Sequence, residues 1–343
     1  MPERPGMVAV LSVLFLLCTF VITVFSLGSL STSIHTEEPL TFRVEQGESL
    51  RQVTERLATE GILRNPGFVR ALAVLRADST RIKAGDYAVK GDVSPNELLD
   101  YLISGRARYA ALTVPEGLNL REIARRFEEQ GIGLAADFMA QATDPEYIAG
   151  LPLPPEFKGA SLEGLLFPET YFVHRGVPPR QLINMMVAQF RKRALPVLLE
   201  HAATSPLSPY ELLVLASIIE KETSVPEERR LISAVFLNRL RKGMVLASDP
   251  TVIYGIDNFD GNLTRAHLRT VTSYNTYKRR GLPPTPIASP GLASVRAAVD
   301  PEETDYLFFV ARGDGTHQFS RDYRTHTRAV WKYQKRQGGS RNF

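Results

Sequence analysis

Residues Met7 to Leu30 form a run of 24 residues without one charged side chain, MVAVLSVLFLLCTFVITVFSLGSL. As a helix it would be about 36 Å long, enough for a hydrocarbon core of about 30 Å. The apolar region of a cleaved signal peptide is shorter, about 7–15 residues. The run therefore reads as a retained transmembrane helix, preceded by a cytoplasmic tail at 1–6. Arg4 and the α-amino group lie before it and Glu37 and Glu38 after it, a cation bias that places the N-terminus inside and the rest of the chain outside the plasma membrane. The single cysteine, Cys18, lies within the run, so no intrachain disulfide can form; a chain of this size needs no such staple.

After a polar linker at 31–39, two segments match without a gap, 70 positions apart: FRVEQGESLRQVTERLATEGI from Phe42 and LTVPEGLNLREIARRFEEQGI from Leu112. Each reads as a short strand, a turn at glycine (Gly47, Gly117) and a helix. Leu50, Val53 and Leu57, or Leu120, Ile123 and Phe127, recur at helical spacing. Ser49 and Asn119 are the expected N-caps, and Gly61 and Gly131 the expected stops. The first copy resembles a LysM module, a small fold that grips N-acetylglucosamine-containing glycans. A helix over NELLDYLI, with Ser94 as N-cap and Pro95 at its first position, closes this unit. A boundary near 107–111 then separates a LysM-like subdomain at 40–110 from a larger domain at 111–337.

The larger domain carries three dense patches. In SLEGLLFPETYFV (Ser161–Val173), Pro168 argues for strand and loop, with Glu163 and Glu169 among apolar neighbours. The second patch starts with the capping box Ser208-Pro209-Tyr210-Glu211 and continues as a helix apolar on nearly every side, which must be buried. Glu220 follows that run directly. A carboxyl placed there is partly desolvated, and desolvation raises its proton affinity towards what a general acid needs. Glu222 lies about 200° round the helix from it. The third patch, from Ala247 to Ser289, is rich in proline and glycine and reads as loop. Its Ser248, Tyr274, Asn275 and Tyr277 are side chains of the kind that hydrogen-bond to sugars and stack on them.

Together the anchor, the LysM-like unit, LEGLLFPETY, ASIIEKET, VFLNRLRKGM, SDPTVIYG, YNTY, GLPPTPIASPG and YLFFVARGDGTHQFS resemble the YceG-like family, the endolytic murein transglycosylases, over nearly the whole chain. The resemblance implies a single-pass plasma-membrane enzyme acting on nascent peptidoglycan outside the cytoplasm, beside the peptidoglycan synthases. It makes Glu220, the first glutamate of IIEKET, the catalytic acid and base. It also implies lytic cleavage of the MurNAc-β-1,4-GlcNAc bond. Glu220 would protonate the leaving oxygen and then take the proton of the muramyl C6 hydroxyl, giving a 1,6-anhydro end. One carboxyl then suffices where hydrolytic glycosidases need two. Glu163, Asn275 and the Ser248–Asp249 loop are candidates to stabilise the oxocarbenium-like transition state, and Tyr274 and Tyr277 to pack on sugar rings or on the helix bearing Glu220.

Two rivals stay open at this point. In a hydrolase, Glu163 or Asp249 would activate water opposite Glu220; in a non-enzymatic cell-wall scaffold, the LysM-like unit alone would act. A zinc enzyme is disfavoured, because the six histidines show no His-x-x-x-His pair and no cysteine pair exists. No metal and no cofactor is expected. Formal net charge is +4, much of it in the tail from Arg321. This tail reads as a basic helix facing solvent, acidic lipid or wall polymer, and it lacks the aromatic interleaving of single-strand nucleic-acid binders. The expected fold class is α+β.

Overall fold

The computed structural model describes residues 34–105, 110–173, 176–202 and 205–335. The expected transmembrane helix at 7–30 and the last residues of the basic tail lie outside the described residues. Among the described residues no helix is long and apolar enough to cross a membrane. The fold is α+β, with many short helices and three two-stranded sheets among the described residues. The chain divides into two compact units, 1–111 with 172–175, and 112–171 with 176–343.

In the first unit, β1 (Ile34–Val44) pairs antiparallel with β2 (Gly85–Val93). Residues 34–39, read above as linker, are therefore strand. Ladder pairs such as His35↔Asp92 and Thr36↔Gly91 satisfy backbone groups whatever the polarity of the side chains, and the register shifts between Thr36 and Leu40. Phe42 faces Tyr87 across the ladder, and the rings stack with centroids 5.5 Å apart. Tyr87 is buried and its hydroxyl donates to the carbonyl of Lys83 at 2.6 Å. The sheet face is covered by α1 (Leu50–Thr59), α2 (Pro66–Leu75) and α3 (Pro95–Ser104), which bury Val53, Leu57, Val69, Leu72, Leu98 and Leu102 in one core. Ser49 and Ser94 close capping boxes with Gln52 and Glu97, as their spacing implies. Leu57 is fully enclosed, so Leu57→Ala is expected to remove about 3 kcal/mol of stability, read as a lower denaturant midpoint for this unit; an unchanged midpoint would mean the site is not packed.

The second unit begins at Leu112 within β3 (Ala110–Val114), which pairs with β4 (Glu169–Val173). Between them lie α4 (Leu120–Glu129), α5 (Ala135–Ala142) and α6 (Pro145–Gly150). The second repeat copy keeps the first one's local design. Gly117 turns the chain at φ +82°, Asn119 caps α4 in a box with Glu122, and Gly131 ends it at φ +63°. Then come α7 (Pro179–Arg193), α8 (Leu195–Ala202), α9 (Pro209–Glu222), α10 (Arg229–Arg241), α11 (Asp249–Tyr254), α12 (Arg265–Arg269) and α13 (Leu292–Val299). A hairpin of β5 (Phe308–Ala311) and β6 (His317–Ser320) and the helix α14 (Tyr323–Val330) follow. α9 is the axis of this unit, with α8, α10, α11 and α13 packed on it. Two short helices, α11 and α12, thus occupy the stretch read above as loop. Ser248-Asp249-Pro250 is a helix start, with proline in the first turn.

Candidate active site

α9 begins with a closed capping box: the Ser208 N–H donates to Glu211 Oε2 at 2.8 Å and the Glu211 N–H to Ser208 Oγ at 3.3 Å. Eight consecutive residues, Leu212 to Ile219, are buried. Ser217, the polar member of that run, donates to the Val214 carbonyl at 2.7 Å and accepts the Ile287 N–H at 3.0 Å, so it carries no unmet group. The helix surfaces at Glu220, which is half-buried, and stops at Thr223, whose backbone is extended.

Two backbone segments meet the Glu220 side chain. One is Gly291, whose N–H donates to Glu220 Oε2 at 2.9 Å. The other is the Glu116–Gly117 turn. A β-carbon on Gly117 would lie 3.7 Å from Glu220 Cγ. The turn is tied down by Gly117 N–H to the Ser289 carbonyl at 2.9 Å, by Ser289 N–H to the Leu118 carbonyl at 2.8 Å and by Lys221 Nζ to the Gly117 carbonyl at 3.0 Å. The Glu116 carboxyl lies against Gly291 so closely that a β-carbon there would overlap it. An open cavity of about 320 Å³ is lined by Glu116, Gly117, Glu220, Lys221, Glu222, Thr223, Ser224 and Arg229. Burial raises the proton affinity of Glu116, the charge of Glu220 adds to this, and Arg229 opposes it. A groove of about 810 Å³, which Lys221 also lines, carries Arg121, Arg125, Tyr254 and Phe259. An acid, a cationic wall and aromatic surface within this unit are suited to proton transfer on a polar, ring-bearing substrate.

Glu169 is exposed and accepts from Arg193; the remaining candidate site residues fall into two other groups. Glu163 is buried, and its oxygens accept the Leu120 N–H at 3.1 Å and the Tyr254 hydroxyl at 2.8 Å. Burial pushes its pKa up to about 7 against those two hydrogen bonds. Tyr254 packs on Tyr274 at 4.8 Å between ring centroids, and the Tyr274 hydroxyl pairs with Thr285 Oγ1 at 2.8 Å. Asn275 is fully buried. Its amide donates to the carbonyls of His267, Leu268 and Thr270, and its Oδ1 accepts the Tyr277 N–H at 2.9 Å, so its capacity is spent on its own loop.

Ser248, Asp249 and Tyr277 assemble around Glu222 instead. Ser248 Oγ donates to Glu222 Oε1 at 2.5 Å and the Tyr277 hydroxyl to Asp249 Oδ1 at 2.7 Å. Glu222, Asp249 and Tyr277 border a cavity of about 340 Å³ that also takes in Arg239, His317 and His326. Glu222 is pushed up to about 7, by burial first and by Asp249 in addition, with Ser248 opposing. His317 is held by Glu228, whose Oε1 accepts its backbone N–H at 2.8 Å while Oε2 meets Nδ1 at 2.6 Å. Among the described residues no group of three or more His, Cys, Asp and Glu is placed to hold a metal.

Sequence reasoning missed Glu116, Arg229 and Glu222. For Glu116 a signal existed: the repeat aligns it with Gln46, so a carboxyl replaces an amide where the two copies otherwise share a turn.

A model of the YceG-like family matches residues 42–332. The endolytic murein transglycosylase of Bacillus subtilis is 32% identical over 265 residues, covering 73% of this chain and 73% of that protein. The endolytic murein transglycosylase of Streptococcus pneumoniae is 30% identical over 319 residues, covering 85% of this chain and 58% of that longer protein. The crystal structure of a YceG-like protein from Listeria monocytogenes matches with a TM-score of 0.61 at 30% identity, over 85% of this chain and 99% of that one. With Glu220 at the end of its buried helix, and a match running through both units, the chain belongs to the YceG-like family.

Proposed function

We propose that this protein is a peptidoglycan lytic transglycosylase that cleaves nascent glycan strands internally and so ends their elongation. The observation that carries the reading is the Glu220 carboxyl, half-buried at the end of an apolar helix, held by the Gly291 N–H and open to a cavity. The names of the Bacillus and Streptococcus relatives support it. Glu220, protonated, donates to the glycosidic oxygen leaving C1 of N-acetylmuramic acid. The muramyl C6 oxygen then bonds to C1, its proton returns to a carboxylate of the site, and the product is a 1,6-anhydro end. No water is consumed. The role of protein groups is to hold the strand and supply charge where the oxocarbenium ion develops. Asp249 and Tyr277 are proposed to meet the strand directly, while Ser248, which is buried, holds Glu222 through its hydroxyl. Glu163, Tyr274 and Asn275 are proposed to support the walls that hold it.

The reading extends to the rest of the chain. The LysM-like unit grips N-acetylglucosamine, the 7–30 helix anchors the enzyme in the plasma membrane, and the catalytic unit works outside beside the peptidoglycan synthases. Mass spectrometry of glycan strands digested by the full-length chain in detergent tests the chemistry. Anhydro-ended fragments are expected. Reducing ends would make the enzyme a hydrolase, and intact strands would leave the scaffold reading.

A further inference from the structure

We propose that Glu116 is a second catalytic carboxyl, the base that removes the proton from the muramyl C6 hydroxyl after Glu220 has protonated the leaving oxygen. The inference rests on the reading of the site as a lytic transglycosylase and refines how its proton moves.

Three features of the geometry place the two carboxyls in one reaction space. Both line the same open cavity. Both touch Gly291, Glu220 through the glycine N–H and Glu116 through the space a side chain would occupy. The Gly117 turn that presents Glu116 lies against the Glu220 stem, and the Lys221 ammonium fixes it. Glu116 keeps part of its side chain open to solvent, so a substrate hydroxyl can reach it. Partial desolvation and the neighbouring Glu220 charge raise its proton affinity, against Arg229, and a carboxylate of raised proton affinity is the stronger base.

Coupling between the two groups orders the steps. In the proposed productive state, Glu220 carries the proton and Glu116 is the charged member. When Glu220 gives the proton up, its new negative charge strengthens Glu116 as a base, at the moment the C6 hydroxyl must lose its proton. The O–H bond of Glu220, the C1–O bond to the leaving sugar and the O–H bond of the muramyl C6 hydroxyl break. The O–H bond of the leaving sugar, the C6–O–C1 bond and the O–H bond of Glu116 form. One proton enters the pair for each proton that leaves, and transfer from Glu116 to Glu220 resets the site without an outside reactant.

Gly291 supplies a test that leaves the carboxyls in place chemically. Its φ is −73° and ψ 165°, which alanine adopts freely, so Gly291→Ala acts by pushing the Glu116 carboxyl aside. Full-length wild type, Glu116→Gln, Glu116→Ala, Gly291→Ala and Glu220→Gln are assayed on purified glycan strands, with thermal unfolding of each as the fold check. Glu116→Gln is expected to lower kcat by about 10²-fold or more, Gly291→Ala by about tenfold or more, both with unfolding midpoints near wild type. Added formate, a small carboxylate base, is expected to restore part of the activity of Glu116→Ala and none to Glu220→Gln. Wild-type activity in Glu116→Gln, or a loss that formate does not repair in Glu116→Ala, overturns the role of Glu116 while the transglycosylase reading stands on the inactivity of Glu220→Gln. No cleavage by wild type overturns both.

Discussion

Glu220→Gln is expected to reduce the rate of glycan cleavage by about 10³-fold, within the range general acid–base groups contribute. Glutamine has the same shape and keeps an oxygen to accept the Gly291 N–H now 2.9 Å from Glu220 Oε2. The helix behind it, Leu212 to Ile219, is already fully packed. The substitution therefore removes the proton and leaves the frame. Its effect on stability should stay within about 0.5 kcal/mol, as for a change away from core, caps and networks. Rate and unfolding midpoint measured on one preparation separate the two. A variant that cleaves within tenfold of wild type takes Glu220 out of the mechanism, and one that unfolds early shows instead that the carboxylate holds the cleft together.

The second large effect is a stability that falls as pH rises. Glu163 is buried and Glu222 half-buried, and desolvation moves each from the ordinary value of 4.5 up to about 7. A folded-state pKa above the unfolded one means that the folded protein holds its proton more tightly. The stabilisation is complete below about pH 4.5 and is lost as pH climbs through about 7. At 1.36 kcal/mol per unit, each group accounts for about 3 kcal/mol over that window. Urea unfolding at pH 5 and pH 8 reads this out. Wild type should be less stable at pH 8, and Glu163→Gln and Glu222→Gln should each flatten the difference. The Glu163 effect should appear at α4, whose first N–H it accepts, and the Glu222 effect around Ser248 and Tyr277. Equal stability at both pH values would show that the two carboxyls are hydrated or ion-paired in solution.

The sequence by itself determined whatever is local. Ser49, Ser94, Asn119 and Ser208 close capping boxes where their spacing places them, because the bond that satisfies a helix N-terminus spans three residues and is written in consecutive letters. The buried character of α9 was equally legible, since apolar side chains on every side leave no face for water. The repeat announced two strand–turn–helix pieces, and both fold that way. Polarity misled where the partner is distant: residues 34–39 became strand because β2, some 50 residues on, supplies their ladder.

Only tertiary structure decided the site. Lys221 reaches a carbonyl 104 positions away and Glu220 an N–H 71 positions away. These contacts exist because α13 and the Glu116–Gly117 turn pack at the end of α9. Asn275 shows the same limit from the other side. Its side chain suits sugar binding, yet the fold turns it inward to three carbonyls of its own loop. Residue type states what a side chain is able to bond. Which partner takes that capacity is settled by long-range packing, because burial makes an unmet polar group costly and every buried group must find its partner within the fold.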